Sequence, residues 1–265
     1  MTTVATTSTV TMLSAVLGLM VGSFLNVVIW RVPRGESVVR PPSACPGCGH
    51  AVRPRDNVPV LSWVLLRGRC RDCSEPISAR YPLVEAGTAA LFALTAAFFG
   101  AVWHLPAFLY LAAVSVCLAL IDVDVKRLPD AIVLPSYAVG AVLLGGASLL
   151  QGDADSAVRA VAGTAILFGA YFLMALAYPA GMGFGDVKLA GVLGMYLGWL
   201  GWSQLAVGSF AAFLVGGLVG VAIVVSGRGG RKTAIPFGPY MLLGAYVGIV
   251  AGDRLADLYL GAVGL

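Results

Sequence analysis

Two aspartates in this chain stand where charge is costly. Asp122 closes an apolar run in Ile121-Asp122-Val123-Asp124-Val125-Lys126-Arg127-Leu128-Pro129-Asp130, and Asp186 opens another in Gly181-Met182-Gly183-Phe184-Gly185-Asp186-Val187-Lys188. Ionisable side chains at membrane depth are expensive and rare, so each is a functional candidate. The two are 64 positions apart, yet helix ends on one face of a bilayer can meet, and two carboxyl groups there can share one water. Like charges at short range cannot both ionise easily, so one carboxyl keeps its proton while the other acts as a base. That is the equipment for peptide hydrolysis by general acid and base catalysis without a covalent intermediate.

Asp124 is the competitor for the first position. Residues two apart on a helix point about 200° away from one another, so only one of Asp122 and Asp124 can face Asp186. Asp124 and Asp130 lie nearer the basic pair Lys126-Arg127 and read as solvated surface carboxylates. Gly183 and Gly185 around Phe184 permit positive φ and close backbone approach, which would let an extended substrate lie beside Asp186; with Lys188 they are the expected supports of that loop. No Gly-Lys-Ser or Gly-Lys-Thr follows, which disfavours a phosphate loop. Membrane carboxylates also serve proton relays and transporters, and on these residues alone both readings stand.

A second chemistry lies in Cys45-Pro46-Gly47-Cys48 and Cys70-Arg71-Asp72-Cys73, two C-x-x-C pairs separated by 21 residues. Four thiolates on two knuckles suit a tetrahedral zinc ion, which then has no open position for water or substrate and is structural. Disulfides or redox pairs are the alternative, but the segment is expected in the cytoplasm, where thiols stay reduced, and no βαβ pattern surrounds either pair. His50 reads as a loop residue and Cys117 as a small buried apolar one. No convincing internal repeat is visible.

These groups must be carried by membrane helices. Of 265 residues, 59% are hydrophobic and 11% charged, far below the quarter or so expected of a soluble domain. Apolar segments fall at roughly 12–30, 83–101, 107–124, 131–150, 158–178, 186–200, 204–225 and 236–252, each near the ~20 residues a span requires. The expected fold is all-α: a polytopic membrane protein of about eight transmembrane helices with a small zinc-knuckle insertion. Nine of the 17 basic residues lie between Arg31 and Arg80. Lys126, Arg127, Lys188, Arg228, Arg231 and Lys232 fall beside alternate loops on that same side, with only Arg159 and Arg254 opposite. Because Lys and Arg concentrate in cytoplasmic loops, the cysteine segment and both aspartates are expected at the cytoplasmic face and the N-terminus outside. The first span lacks the basic n-region of a cleavable signal peptide and reads as an anchor. The basic charge follows the membrane alternation without interleaved aromatics, so a nucleic-acid partner is not expected. The domains expected are a first helix over 1–30, a four-cysteine unit over 31–82 and a membrane domain over 83–265, with a flexible connector at 226–231.

Taken together, Gly22-Ser23-Phe24-Leu25-Asn26-Val27-Val28-Ile29-Trp30-Arg31-Val32-Pro33, the four cysteines, Asn57 to Trp63, Arg67-Gly68-Arg69-Cys70 and Ile77 to Glu85 make the chain resemble the bacterial type IV prepilin peptidases, which belong with the GxGD membrane aspartyl proteases. Asp122 to Asp130 matches that family's first aspartate motif and Gly183-Phe184-Gly185-Asp186 its GxGD motif. Trp30 departs from the Tyr that is frequent there. The resemblance implies Asp122 and Asp186 as the catalytic pair and Cys45, Cys48, Cys70 and Cys73 as zinc ligands. It also implies, as substrates, precursors of type IV pilins or type II secretion pseudopilins, cut at the cytoplasmic face of the inner membrane. Many members also methylate the new N-terminus with S-adenosylmethionine. No glycine-rich strand-to-helix fingerprint for that donor is present, so the second activity rests on the resemblance.

Overall fold

The structure, a computed structural model, describes residues 2–179, 181–227 and 235–264. Among them are nine α-helices and no strand beyond two isolated bridges. They are α1 (Thr2–Arg31), α2 (Leu61–Leu65), α3 (Arg80–Phe99), α4 (Leu105–Val125), α5 (Asp130–Gln151), α6 (Ala154–Ala177), α7 (Phe184–Leu200), α8 (Trp202–Val225) and α9 (Gly238–Val263). Each of the eight apolar segments corresponds to one helix, and α2 is the extra, short one. Six helices, α1, α3, α4, α5, α6 and α8, are long and apolar enough to cross a membrane. The α7 helix has 17 residues. The α9 helix continues past the expected segment through Asp253, Arg254 and Asp257, read from sequence as loop residues. They fit a helix because all three are exposed on it, and Asp253 accepts a hydrogen bond from Gln204 Nε2 at 2.8 Å. Residues 228–231 of the expected connector, with Arg228, Arg231 and Lys232, lie outside the described residues.

The chain forms two compact units, Met1–Cys117 and Leu118–Leu265. In the first, α1 lies along α3. A Cβ on Gly18 would stand 2.7 Å from Ala89 Cα, and one on Gly22 2.8 Å from Glu85 Cα. Small residues four apart thus let the two backbones meet, which is how helices associate when lipid is as apolar as their side chains.

In the second unit α7 is the hub. It packs against α5, α6, α8 and α9, and every residue from Leu189 to Trp199 is buried. A helix buried all round cannot show an amphipathic stripe, which is why its short segment reads from sequence as an ordinary span. Tyr137 Oη donates to the Lys188 carbonyl at 2.6 Å and Trp199 Nε1 to Ser148 Oγ at 2.8 Å, tying α5 to both ends of α7.

The α8–α9 pair forms a seam of Gln204, Gly208 and Ala212 against Gly244, Gly248 and Gly252. A Cβ on Gly248 would sit 2.6 Å from the Gln204 carbonyl oxygen and 2.8 Å from Gly208 Cα, both backbone atoms that cannot step aside. Gly248→Leu is therefore expected to cost about 3 kcal/mol or more and to lower the melting temperature in detergent by about 5 °C or more. An unchanged melting curve would mean that the two helices do not pack this closely.

Candidate functional site

Asp122 occupies the last turn of α4, and Lys126, at φ +52°, ends that helix. Asp122 as a whole residue is 5% exposed, and its Oδ2 accepts a hydrogen bond of 2.9 Å from the Gly238 N–H. Gly238 is the first residue of α9, so the carboxylate faces the positive end of a helix dipole. Asp186 lies in the first turn of α7. Its Oδ2 accepts from the Gly183 N–H at 3.1 Å, while its own N–H donates to the Gly183 carbonyl at 3.0 Å. The second aspartate is thus set at the positive end of its own helix.

Leu128 joins the two. A Cβ on Gly238 would stand 3.2 Å from Leu128 Cδ2, and one on Gly185 3.0 Å from Leu128 Cβ. The chain leaving α4 therefore wedges Leu128 between the first turns of α9 and α7. Asp122 and Asp186, far apart in sequence, are thus carried to the same end of this unit, on helix ends that both meet Leu128. Asp124, two residues on from Asp122, is exposed.

The glycines beside Phe184 correct one expectation. Gly183 has φ −74° and ψ 146°, and neither Gly181 nor Gly185 has positive φ. The missing side chain at Gly185 makes room for Leu128, so close approach is the operative property and backbone handedness is not. Lys188 does not stand alone: its Nζ bonds both carboxylate oxygens of Asp130, at 2.7 and 2.8 Å, and lies 5.0 Å from the centre of the Phe184 ring. Asp130 is exposed as expected, but it is an ion-pair partner that ties the first residue of α5 to Lys188, the fifth residue of α7.

Sequence reasoning missed Gly238. Hydropathy marked 236–252 as a span and carried no hint that its first amide serves Asp122. The available signal was Pro239, which suits the first turn of a helix and fixes the start at Gly238. It also missed the aromatic group of Tyr171, Phe213, Phe237 and Tyr240, with neighbouring ring centroids 5.3 to 6.5 Å apart.

In the first unit the four cysteines form one cluster. Their Sγ atoms all lie within 4.8 Å of one another, with Cys45–Cys73 at 3.7 Å and Cys48–Cys70 at 4.0 Å, and none is in a disulfide. Metal–sulfur bonds of about 2.3 Å in a tetrahedron set the sulfurs about 3.8 Å apart, so these residues fit a metal ion. The two knuckles are built alike. Cys45 N–H donates to the His50 carbonyl and Cys70 N–H to the Glu75 carbonyl; Gly49 N–H returns to Cys45 and Ser74 N–H to Cys70. Gly49 has φ +72° and Ser74 φ +62°. Backbone N–H groups of Cys73 and Asp72 pull the Cys70 thiol down to about 7, while against the Glu75 N–H, burial and the neighbouring thiols push Cys73 up to about 12, so the four sulfurs share their protons unequally. Two ion pairs brace the cluster. Arg53 meets Asp72 at 2.6 Å, and Arg71 meets both oxygens of Asp56, holding that carboxyl below the usual range. His50 is exposed and outside the cluster, and Cys117 is buried.

Residues 16–99 match the bacterial peptidase A24 N-terminal domain, and residues 108–221 match the type IV leader peptidase family. The prepilin leader peptidase/N-methyltransferase of Aeromonas hydrophila is 38% identical, over 91% of this chain and 91% of the relative. The chain belongs to the type IV leader peptidase family. Relatives of the same description from Pseudomonas aeruginosa, 36% identical over 94% of this chain and 92% of the relative, and from Neisseria gonorrhoeae, 39% identical over 92% and 91%, agree. No solved structure matches. With its apolar helices, this leader peptidase family member is an integral inner-membrane protein.

Proposed function

We propose that this chain is a membrane aspartyl endopeptidase that removes leader peptides from type IV prepilins and pseudopilins, with Asp122 and Asp186 as the catalytic pair, and that it N-methylates the new N-terminus. The observation that carries the reading is the convergence of the two carboxyls on Leu128 and the first turns of α7 and α9. In such a pair one carboxyl holds a proton while the other draws one from water. The water attacks the scissile carbonyl. The protonated partner supplies the proton that the departing amine needs. Gly238 N–H and Gly183 N–H hold the two carboxylates in place, so neither has to be reoriented as the reaction proceeds.

The organisation that goes with this reading is a first membrane helix over 1–30, a cytoplasmic unit over 31–82 with one zinc held by Cys45, Cys48, Cys70 and Cys73, and a peptidase domain over 83–265. The N-terminus lies outside, and the aspartates face the cytoplasm beside the basic loops. A bound zinc would fix the two knuckles to one another and, with four sulfurs around it, leaves no position for water. S-adenosylmethionine is the methyl donor that fits an amine N-methyltransferase. Gly183, Gly185 and the Lys188–Asp130 pair shape the α7 turn that carries Asp186.

Co-expression with candidate precursors and mass spectrometry of the mature N-terminus tests both activities in one spectrum. Loss of the leader together with one added methyl is expected; an intact precursor would reject the peptidase reading, and an unmodified mature N-terminus would reject the transferase. A narrower test concerns Gly238. A Cβ there would come 2.8 Å from Asp122 Oδ2, so Gly238→Ala displaces the carboxyl while keeping the N–H. Cleavage is expected to fall by about 100-fold with little change in melting temperature. Full activity in that variant would show that Asp122 need not sit where it does.

A further inference from the structure

The α2 helix is out of place in a small polar unit. It is five residues long, it follows the first knuckle, and three of its five side chains are exposed and apolar: Leu61 at 53%, Val64 at 57% and Leu65 at 72%. Val58, just before it, is 44% exposed. The other two face inward: Ser62 is buried and accepts from the Val58 N–H, and Trp63 Nε1 donates to the Ile77 carbonyl at 3.0 Å. One side of α2 is therefore anchored to its own unit, and the other is an apolar surface exposed among the described residues.

One contact bears on the depth of this surface. Val60, immediately before α2, donates its N–H to Glu85 Oε2 at 2.6 Å. Val60 has φ +60° and ψ −50°, a conformation a β-branched residue rarely adopts. Glu85 is 8% exposed and belongs to α3. With 20 residues that helix is about 30 Å long, just the thickness of the hydrocarbon core. Glu85 lies five residues in from Arg80, about 7.5 Å along the axis, and α1 covers its Cα through Gly22. An α3 that spans the membrane therefore carries Glu85 below the level of its own first residue, and Val60 and α2 are held beside it. Exposed Arg55, Arg67 and Arg69 flank α2 in sequence and bring positive charge to the same short segment.

From this we infer that α2 is an interfacial anchor: Leu61, Val64 and Leu65 insert into the headgroup and acyl boundary of an anionic bilayer, with the arginines at the phosphates. Apolar side chains beside basic ones on a helix held in the membrane plane bind lipid in this way. The inference needs α1 and α3 to cross the membrane, and it does not depend on which residues catalyse. Its consequence is that the cysteine unit is held flat against the bilayer at a third point, besides its two covalent connections.

The test uses the full chain in vesicles of phosphatidylethanolamine and phosphatidylglycerol, with a benzophenone amino acid at Leu65 or, in a second variant, at Val64. Both positions are exposed, so neither replacement disturbs the core. Irradiation is expected to give lipid adducts at both positions, found by mass spectrometry of the 58–67 peptide, with a lower yield in phosphatidylcholine alone. Solvent-reduced probe without lipid adducts would overturn the inference. Adducts to an added prepilin in place of lipid would also overturn it, marking α2 as a substrate-docking surface.

Discussion

Asp122→Asn and Asp186→Asn are each expected to lower prepilin cleavage by about 10³-fold or more, with the helical content and melting temperature of the parent. Asparagine keeps the size of the side chain and its carbonyl oxygen, so the bonds from Gly238 and Gly183 can survive. What disappears is the ability to take or give a proton. Asp124→Asn is the control, because that side chain is exposed and two residues out of phase; its cleavage rate is expected within about twofold of the parent. The pair is assayed on a purified precursor by following release of the leader. Normal processing by either Asp122→Asn or Asp186→Asn would end the two-aspartate reading, and a defect in Asp124→Asn equal to theirs would reassign the first acid.

The second large effect concerns metal. Purified protein is expected to hold about one zinc per chain, and Cys45→Ser or exhaustive chelation should release it. The segment 38–79 has almost no buried apolar side chain of its own and relies on the cluster, two ion pairs and the Trp63–Ile77 bond. Chains of this size rarely fold without such support. Hydrogen exchange across 38–79 should therefore rise to near the unfolded rate, while α1 and α3, held by Gly18 and Gly22 against the α3 backbone, stay protected. Because four sulfurs leave the ion no open position, cleavage is expected to fall far less than in the aspartate variants. Unchanged exchange in the zinc-free protein would show that the knuckles stand without metal.

What could be read from sequence follows what hydropathy and spacing report. Apolar runs located eight helices because lipid selects for composition over a length. Asp122 and Asp186 stood out because charge is scarce there, and the cysteines because their spacing is chemically narrow. Other features are invisible to either signal. Gly238 acts through a backbone amide, which every residue but proline has, so nothing in its side chain marks it as Asp122's partner. The two knuckles follow the same backbone path, yet Gly49 answers to Ser74 and His50 to Glu75, and a comparison of side chains finds no repeat. The seams at Gly163–Gly194 and at Gly208, Gly244 and Gly248 use glycine for the room it leaves, whereas among 34 glycines the eye goes first to those beside Asp186. Asp130 looked like a solvated carboxylate because the Lys that meets it is 58 residues away.

The zipped pair of α8 and α9 has a mechanical corollary. Gly252 lies 14 residues from Gly238, or about 21 Å along the axis, and its missing Cβ leaves space for Gln204. Two rods clasped backbone to backbone slide as one piece, so a bulky residue at the far clasp is relieved only by a shift that the near end must share. A substitution at Gly252 would then be felt as a misaimed acid at the other end of the helix pair, in a protein whose reacting groups are all intact.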